Sequence, residues 1–126
     1  MNQSVATLIR CADGLILSVS RKNHPIDKNL PGGKVEDNET LEEASIRETQ
    51  EETGLRILKQ RLVFRAECEG FDAYVFEATE WEGQLHSDEP AAIAWVYPSA
   101  LLTANCTFAD FNSVLFRELG INVAGH

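Results

Sequence analysis

The sequence lacks any run of about eighteen apolar residues, so it offers no candidate membrane-spanning helix. It has no Cys-x-x-Cys pair: Cys11, Cys68 and Cys106 stand far apart and odd in number, which excludes a disulfide framework and reads as reduced thiols. Basic residues are scarce, 11 against 20 acidic ones, and the net charge of -9 gives a surface that repels phosphate backbones. A nucleic-acid polymer is therefore not an expected partner, and a polyanionic small molecule would need a cation to offset its charge. The first stretch, "MNQSVATLIRCADGLILSV", is broken by Arg10, Asp13 and Gly14 and has neither the basic leader nor the apolar core of a signal peptide, so a cytoplasmic location is expected. No internal repeat or low-complexity linker divides the 126 residues, and the length suits one domain over residues 1–126.

What is present is an alternation of short apolar runs with two helical patterns. "SVATLIRC" and "LILSVS" flank Asp13-Gly14 and read as two antiparallel strands joined by a tight turn. "RKNHPIDKNLPGG" carries two prolines and two glycines without periodicity and reads as a loop, long enough to suggest a functional one. A helix is expected over residues 40–53, with Asn38 or Thr40 as its cap and Gly54 as its stop. Two further strands, in "LRILKQRLVFRAECEG" and "FDAYVFEATEW", precede a turn, "EGQLHSDEP", and a third in "AAIAWVYP". A last helix places Phe108, Phe111, Leu115 and Leu119 at helical spacing, and its phenylalanines read as core. This order implies an α/β fold, a mixed β-sheet between helices.

The first helix is odd. Leu41, Ala44, Ser45, Glu48, Glu51, Glu52 and Leu55 follow the spacing of one helix face, so three glutamates continue a stripe that began apolar. Three carboxylates at i, i+3 and i+4 repel one another and are costly to desolvate unless a cation joins them. Oxygen ligands without His or Cys favour Mg²⁺ or Mn²⁺. A solvated, salt-bridged helix held by Arg47 is the competing reading, and the pattern alone leaves the two level.

The spacing is more specific. Gly33, five residues, Glu39, seven residues, Arg47-Glu48, then Glu51-Glu52, Gly54 and Leu55 resemble the signature of the Nudix hydrolase family over residues 33–55, with all seven glycine and charged positions present. Thr49 departs, standing where the family has an aliphatic residue. Its hydroxyl makes the replacement unequal in a core. The resemblance implies an α/β/α sandwich and hydrolysis of a nucleoside diphosphate linked to another moiety, through water attack on phosphorus. It implies that Glu48, Glu51, Glu52 and the Gly32 carbonyl hold Mg²⁺ or Mn²⁺, with Glu39 and Arg47 supporting the box alongside Gly33 and Gly54. Arg47, Glu51 and Glu52 are thereby candidate catalytic residues, and Glu89 in "HSDEP" is a further candidate base.

Outside the box, a compact MutT-like layout favours a nucleoside triphosphate, including an oxidised purine nucleotide, cleaved to monophosphate and pyrophosphate. The alternatives are another nucleoside diphosphate derivative, such as a nucleotide sugar, ADP-ribose or a dinucleoside polyphosphate, and a non-catalytic nucleotide-sensing module. Asn29, Lys34, Asp110 and Asn112 are the candidate substrate contacts, the amides because they combine donor and acceptor. Arg21 and Lys28 are further candidates for phosphate. A monomer or homodimer is expected.

Overall fold

A computed structural model gives the fold and describes residues 2–21, 23–86 and 93–123. Among the described residues, seven strands and two α-helices follow in the order β1 (Gln3–Leu8), β2 (Ile16–Arg21), β3 (His24–Asn29), β4 (Gly32–Lys34), α1 (Leu41–Thr53), β5 (Leu55–Cys68), β6 (Phe71–Gly83), β7 (Ile93–Val96) and α2 (Ala109–Glu118), with a short 3₁₀ helix at Pro98–Leu101 before α2. The strands divide between two sheets, a mixed one in the order β4-β1-β6-β5 and a smaller one in the order β3-β2-β7. β1 runs parallel to β6 and antiparallel to β4, and β6 is antiparallel to β5.

Strand alternation makes β1 the centre of the sandwich. Val5 packs with Ala44 of α1, Tyr74 and Phe76, while Thr7 meets α1 through Ser45 and Thr49. On the opposite face Leu8 joins Val75, Leu30 and Leu101 against Leu115 and Phe116 of α2. The helices therefore cover opposite faces, as a sandwich requires. Trp81 and Trp95 lie partly buried against Ile9, Leu17, Leu55, Ile57 and Ala78. Among the described residues no helix is long and apolar enough to cross a membrane.

Two sequence-based expectations change. The turn at Asp13-Gly14 forms, with Gly14 at φ 81°, but the runs on either side share only the bridge between Arg10 and Ile16 before parting into different sheets. The expected loop after Arg21 contains two strands. β3 pairs with β2 as an edge strand, which is where Pro25 is tolerated, and a register shift beside Arg21 absorbs the irregularity. β4 pairs with β1 through Gly32 and Gly33, residues with no intrinsic strand preference. Tertiary pairing, not local propensity, makes both strands.

α1 begins and ends where its caps dictate. The Thr40 side chain accepts from the Glu43 backbone, the Glu43 carboxylate accepts from the Thr40 backbone, and Gly54 closes the helix in the left-handed region. Its buried stripe is Ala44, Ser45, Thr49 and Thr53, so the glutamates stand on the shoulder of that stripe and not within it. Most of this stripe is polar. The Thr49 hydroxyl donates to Thr7 Oγ1 at 2.9 Å, the Thr7 and Ser45 hydroxyls are 2.8 Å apart, and Ser45 donates to Gln60 Oε1 at 2.8 Å. Thr49 is thus not a defective aliphatic but one end of a satisfied hydroxyl chain that joins α1 to β1 and β5.

Thr7 is the middle of that chain. Thr7→Val is expected to cost about 1–3 kcal/mol, because it strands the Thr49 hydroxyl in a dry interface and leaves Ser45 with only its bond to Gln60. Adding Thr49→Val should recover part of that loss, since one stranded hydroxyl goes with it. Urea unfolding of the two variants measures this. A Thr7→Val protein within about 0.5 kcal/mol of wild type would show that the hydroxyls do not organise the packing.

Candidate active site

Gly32 and Gly33 set the geometry around which the site is built. A Cβ on Gly32 would lie 2.2 Å from the Val5 carbonyl oxygen, so only glycine lets β4 approach β1 this closely. A Cβ on Gly33 would lie 2.7 Å from the Glu48 carboxylate, so that carboxylate occupies the space a side chain would fill. The neighbouring Gly32 backbone N–H donates to Glu52 Oε1 at 2.7 Å. Two glutamates of α1 are thereby drawn onto one glycine pair.

Arg47 fixes the other side. Its guanidinium donates to Glu39 through Nε at 2.7 Å and Nη2 at 3.0 Å, to Glu48 at 2.8 Å, to Glu51 at 3.4 Å and to the Lys34 carbonyl at 3.1 Å. The Glu39 contact is a bidentate fork that lysine could not reproduce. The Arg47 hydrogen bond holds the Glu39 carboxyl below its usual range, and the Arg47 guanidinium is itself held more strongly protonated by Glu39 and then Glu48.

The remaining carboxylates differ by environment. Burial raises the Glu48 carboxyl despite the opposing pull of Arg47. Burial pushes Glu52 furthest, to about 7, with Glu48 and Glu51 adding repulsion and the Gly32 N–H pulling only partly back. Glu51 remains 60% exposed. Among the described residues no three His, Cys, Asp or Glu side chains stand ready to enclose an ion; Arg47 and Gly32 hold the three glutamates in separate contacts. The donor set still fits a hard divalent cation. It is all oxygen, and it includes the partly buried Glu52 carboxylate, which has the Gly32 N–H but no ion-pair partner among the described residues.

Glu52 opens onto a cleft of about 560 Å³ that also takes in Gly32, Gly33, Lys34, Asn29 and Asn112. The sequence-derived substrate candidates Asn29, Lys34 and Asn112 therefore meet in one space with a box glutamate. Asp110 does not: it is exposed in the first turn of α2 and lies off the cleft lining. Lys28 is also absent from that lining, whereas Arg21 is part of it. Glu89 falls outside the described residues.

Both amides are oriented by the backbone. Asn29 Nδ2 donates to the Asp27 carbonyl at 3.1 Å, and Asn112 Nδ2 to the Leu101 carbonyl at 3.2 Å. Phe116 is core as expected, and Phe111 packs partly against the same cluster and edge-on against Phe64, but Phe108 and Phe111 also line the cleft. Phe111 beside Asn112, and Phe108 one turn before it, were the available signal. Glu69 and Phe71 also reach the lining from the β5–β6 hairpin, and Lys34 Nζ sits 5.4 Å from the Phe71 ring centre. Nothing in the motif spacing points to that hairpin.

The raised Glu52 carboxyl makes stability depend on pH in a definite direction. Between the ordinary carboxylate range and about 7 the folded chain keeps a proton that the unfolded chain has released. The stability this group contributes is therefore present at low pH and lost as pH rises through that window. Glu52→Gln keeps an oxygen for the Gly32 N–H and removes the charge, so without added metal its melting temperature should exceed that of wild type by several degrees at pH 8 and match it near pH 4.5. A variant less stable than wild type at pH 8 would mean that the carboxylate is not strained in the metal-free fold.

Comparison with known proteins accords with this geometry. The NUDIX domain model matches residues 1–117. The chain is 32% identical over 107 residues to the 8-oxo-dGTP diphosphatase of Buchnera aphidicola subsp. Schizaphis graminum, covering 82% of this chain and 81% of that one. A shorter stretch of 45 residues is 56% identical to the ADP-ribose pyrophosphatase of Methanocaldococcus jannaschii, covering 34% of this chain and 27% of that protein. Among solved structures, the MutT NUDIX hydrolase from Burkholderia pseudomallei superposes with a TM-score of 0.75 at 27% identity, covering 94% of this chain and 97% of that one. With the box residues gathered on β4 and α1 beside the cleft, and the family model spanning nearly the whole chain, the protein belongs to the Nudix family and is a MutT-like Nudix hydrolase.

Proposed function

We propose that the protein is a Mg²⁺- or Mn²⁺-dependent pyrophosphohydrolase that cleaves a nucleoside triphosphate to the monophosphate and pyrophosphate. The observation that carries this reading is the continuity of one cleft, whose lining joins the box glutamate Glu52 and the glycine pair to two oriented amides and two phenylalanines. A phosphate chain and a planar base need those two environments side by side. The similarity to a diphosphatase of an oxidised purine nucleotide points the same way.

The division of labour follows from the contacts. Glu48, Glu51, Glu52 and the Gly32 carbonyl would hold the cation, which when bound offsets phosphate charge and makes water a better nucleophile. Arg47 keeps Glu48 aimed at the glycine pair by its fork to Glu39, so the carboxylates are placed before substrate arrives. Lys34 and Arg21, both part of the cleft lining, supply positive charge to the phosphate chain. Phe108 and Phe111 provide a flat apolar surface for the base, and Asn29 and Asn112 read its edge. The proton released as water attacks phosphorus goes to a helix carboxylate, Glu51 or Glu52; the sequence-derived alternative base Glu89 lies outside the described residues.

A second reading, hydrolysis of a sugar-linked nucleoside diphosphate, draws on the similarity to an ADP-ribose pyrophosphatase. It shares the box chemistry and differs in its leaving group.

Incubation with nucleoside triphosphates, an oxidised purine triphosphate, ADP-ribose and a dinucleoside polyphosphate, in Mg²⁺, Mn²⁺ or chelator, separates these readings by product. Pyrophosphate release that needs the metal and falls on the order of 10²–10⁴-fold in Glu48→Gln is the expected result. Sugar phosphate release favours the second reading. Turnover that survives both chelation and the substitution would refute the metal-dependent mechanism, and nucleotide binding without any turnover would indicate a sensing module.

A further inference from the structure

The box supplies one side of the cleft. Part of the remaining lining, here called the recognition wall, comes from three separate stretches: Arg21 at the end of β2, Asn29 on β3, and Phe108, Phe111 and Asn112 around the start of α2. These stretches meet at one carboxylate outside every motif, Asp27, which is only 7% exposed. The Thr107 backbone N–H donates to Asp27 Oδ1 at 2.9 Å and the Thr107 hydroxyl to Oδ2 at 2.7 Å. Arg21 Nη1 lies 3.6 Å from Oδ2, and the Asp27 main-chain carbonyl accepts from Asn29 Nδ2.

The start of α2 depends on this contact. Phe108 occupies the N-cap position and makes no side-chain cap, whereas Leu115 and Phe116 seat the second half of the helix in the core. Thr107 immediately precedes that uncapped end. Charge-assisted hydrogen bonds from Asp27 to both polar atoms of one residue therefore fix the turn that carries Phe108, Phe111 and Asn112. Burial raises the Asp27 carboxyl, but the Thr107 hydrogen bonds and Arg21 outweigh it, so the group lies below its ordinary value and is ionised at neutral pH.

Asn29 supplies an independent sign that this wall awaits a ligand. The residue is 8% exposed, its Nδ2 is committed to Asp27, and its Oδ1 is the buried side-chain polar atom without a partner among the described residues. Such an atom is costly in a finished core. Asn29 belongs to the cleft lining, and an acceptor left without a donor there calls for an N–H or O–H on whatever occupies the cleft.

We propose that Asp27 is the positioning residue of the recognition wall, fixing the start of α2 through Thr107 and holding Asn29 so that Oδ1 meets a hydrogen-bond donor on the substrate's base. This rests on the reading of the cleft as a nucleotide site and extends it to a residue that touches no reacting atom. Disturbing Asp27 should impair recognition and leave the carboxylate cluster of α1 intact. A staple with no role in recognition would lower stability alone.

Steady-state kinetics of wild type, Thr107→Val, Thr107→Ser and Asp27→Asn distinguish these, with GTP, dGTP, ATP, CTP, UTP and 8-oxo-dGTP at saturating Mg²⁺, alongside thermal melts. Thr107 is exposed, so the Thr107→Val protein folds even if Asp27→Asn does not. The expected result is a KM for the best substrate raised about 5–20-fold in Thr107→Val, a kcat within about twofold, a narrower spread of kcat/KM across the bases, and recovery in Thr107→Ser. Variants that melt earlier with unchanged KM and unchanged spread would reduce Asp27 to a staple and overturn the proposal. A fall in kcat at constant KM would overturn it as well, by placing Asp27 in service of the reaction centre. Wild type that turns over none of the nucleotides would instead show that the nucleotide reading of the cleft is wrong.

Discussion

The site depends on a single guanidinium. Arg47 forks onto Glu39, reaches Glu48 and Glu51, and donates to the Lys34 carbonyl, so one side chain ties the segment before α1, the end of β4 and the acidic face of the helix together. Without it, three glutamates at i, i+3 and i+4 would repel one another with nothing to hold them near the glycine pair. With it, Glu48 is set against the Cα of Gly33, in space that exists only because no side chain grows there. Charge and backbone geometry are each incomplete alone.

The same arrangement stores an instability that function would use. Glu52 is drawn inward by the Gly32 N–H into surroundings that raise its carboxyl to about 7. A structure selected for stability alone would have placed an uncharged residue there. Beneath this strained surface the helix is anchored by an unusually polar interface, the hydroxyl chain through Thr49, Thr7 and Ser45 to Gln60, which fixes its rotation on β1 and β5. Directional hydrogen bonds set an azimuth more sharply than interchangeable apolar contacts, and the azimuth of α1 decides where its glutamates point.

Much of this was legible in the sequence because local rules governed it. α1 starts at Thr40, one of the two cap candidates, and stops at Gly54, and both were visible in residue type and spacing; α2 and the strands β5, β6 and β7 were legible for similar reasons. The seven invariant-type positions of the box named the acidic helix, its arginine and its glycines. What escaped was decided by distant partners. β3 and β4 are strands only because β2 and β1 pair with them, and His24-Pro25 or Gly32-Gly33 give no hint of it. The hydroxyl partners of Thr49 lie 42 residues away on β1, so its departure from an aliphatic residue could not be explained locally. Phe108 and Phe111 have the helical spacing of core residues and line the cleft as well, Phe111 while still packed against the core, and Asp27 reaches a residue 80 positions along the chain. Asn29 and Asn112 were recognisable as amides, but the backbone carbonyls that orient them were not.

The central claim is that the acidic shoulder of α1 and the adjoining cleft form one metal-dependent nucleotide site. An anomalous-scattering map from crystals grown with Mn²⁺ and a non-hydrolysable nucleoside triphosphate tests it directly. The account predicts density within about 2.0–2.4 Å of oxygens from Glu48 and Glu52, with the phosphate chain running from the ion past Lys34 and the base against Phe108 and Phe111. Manganese bound elsewhere, or a nucleotide lying outside the cleft, would contradict it.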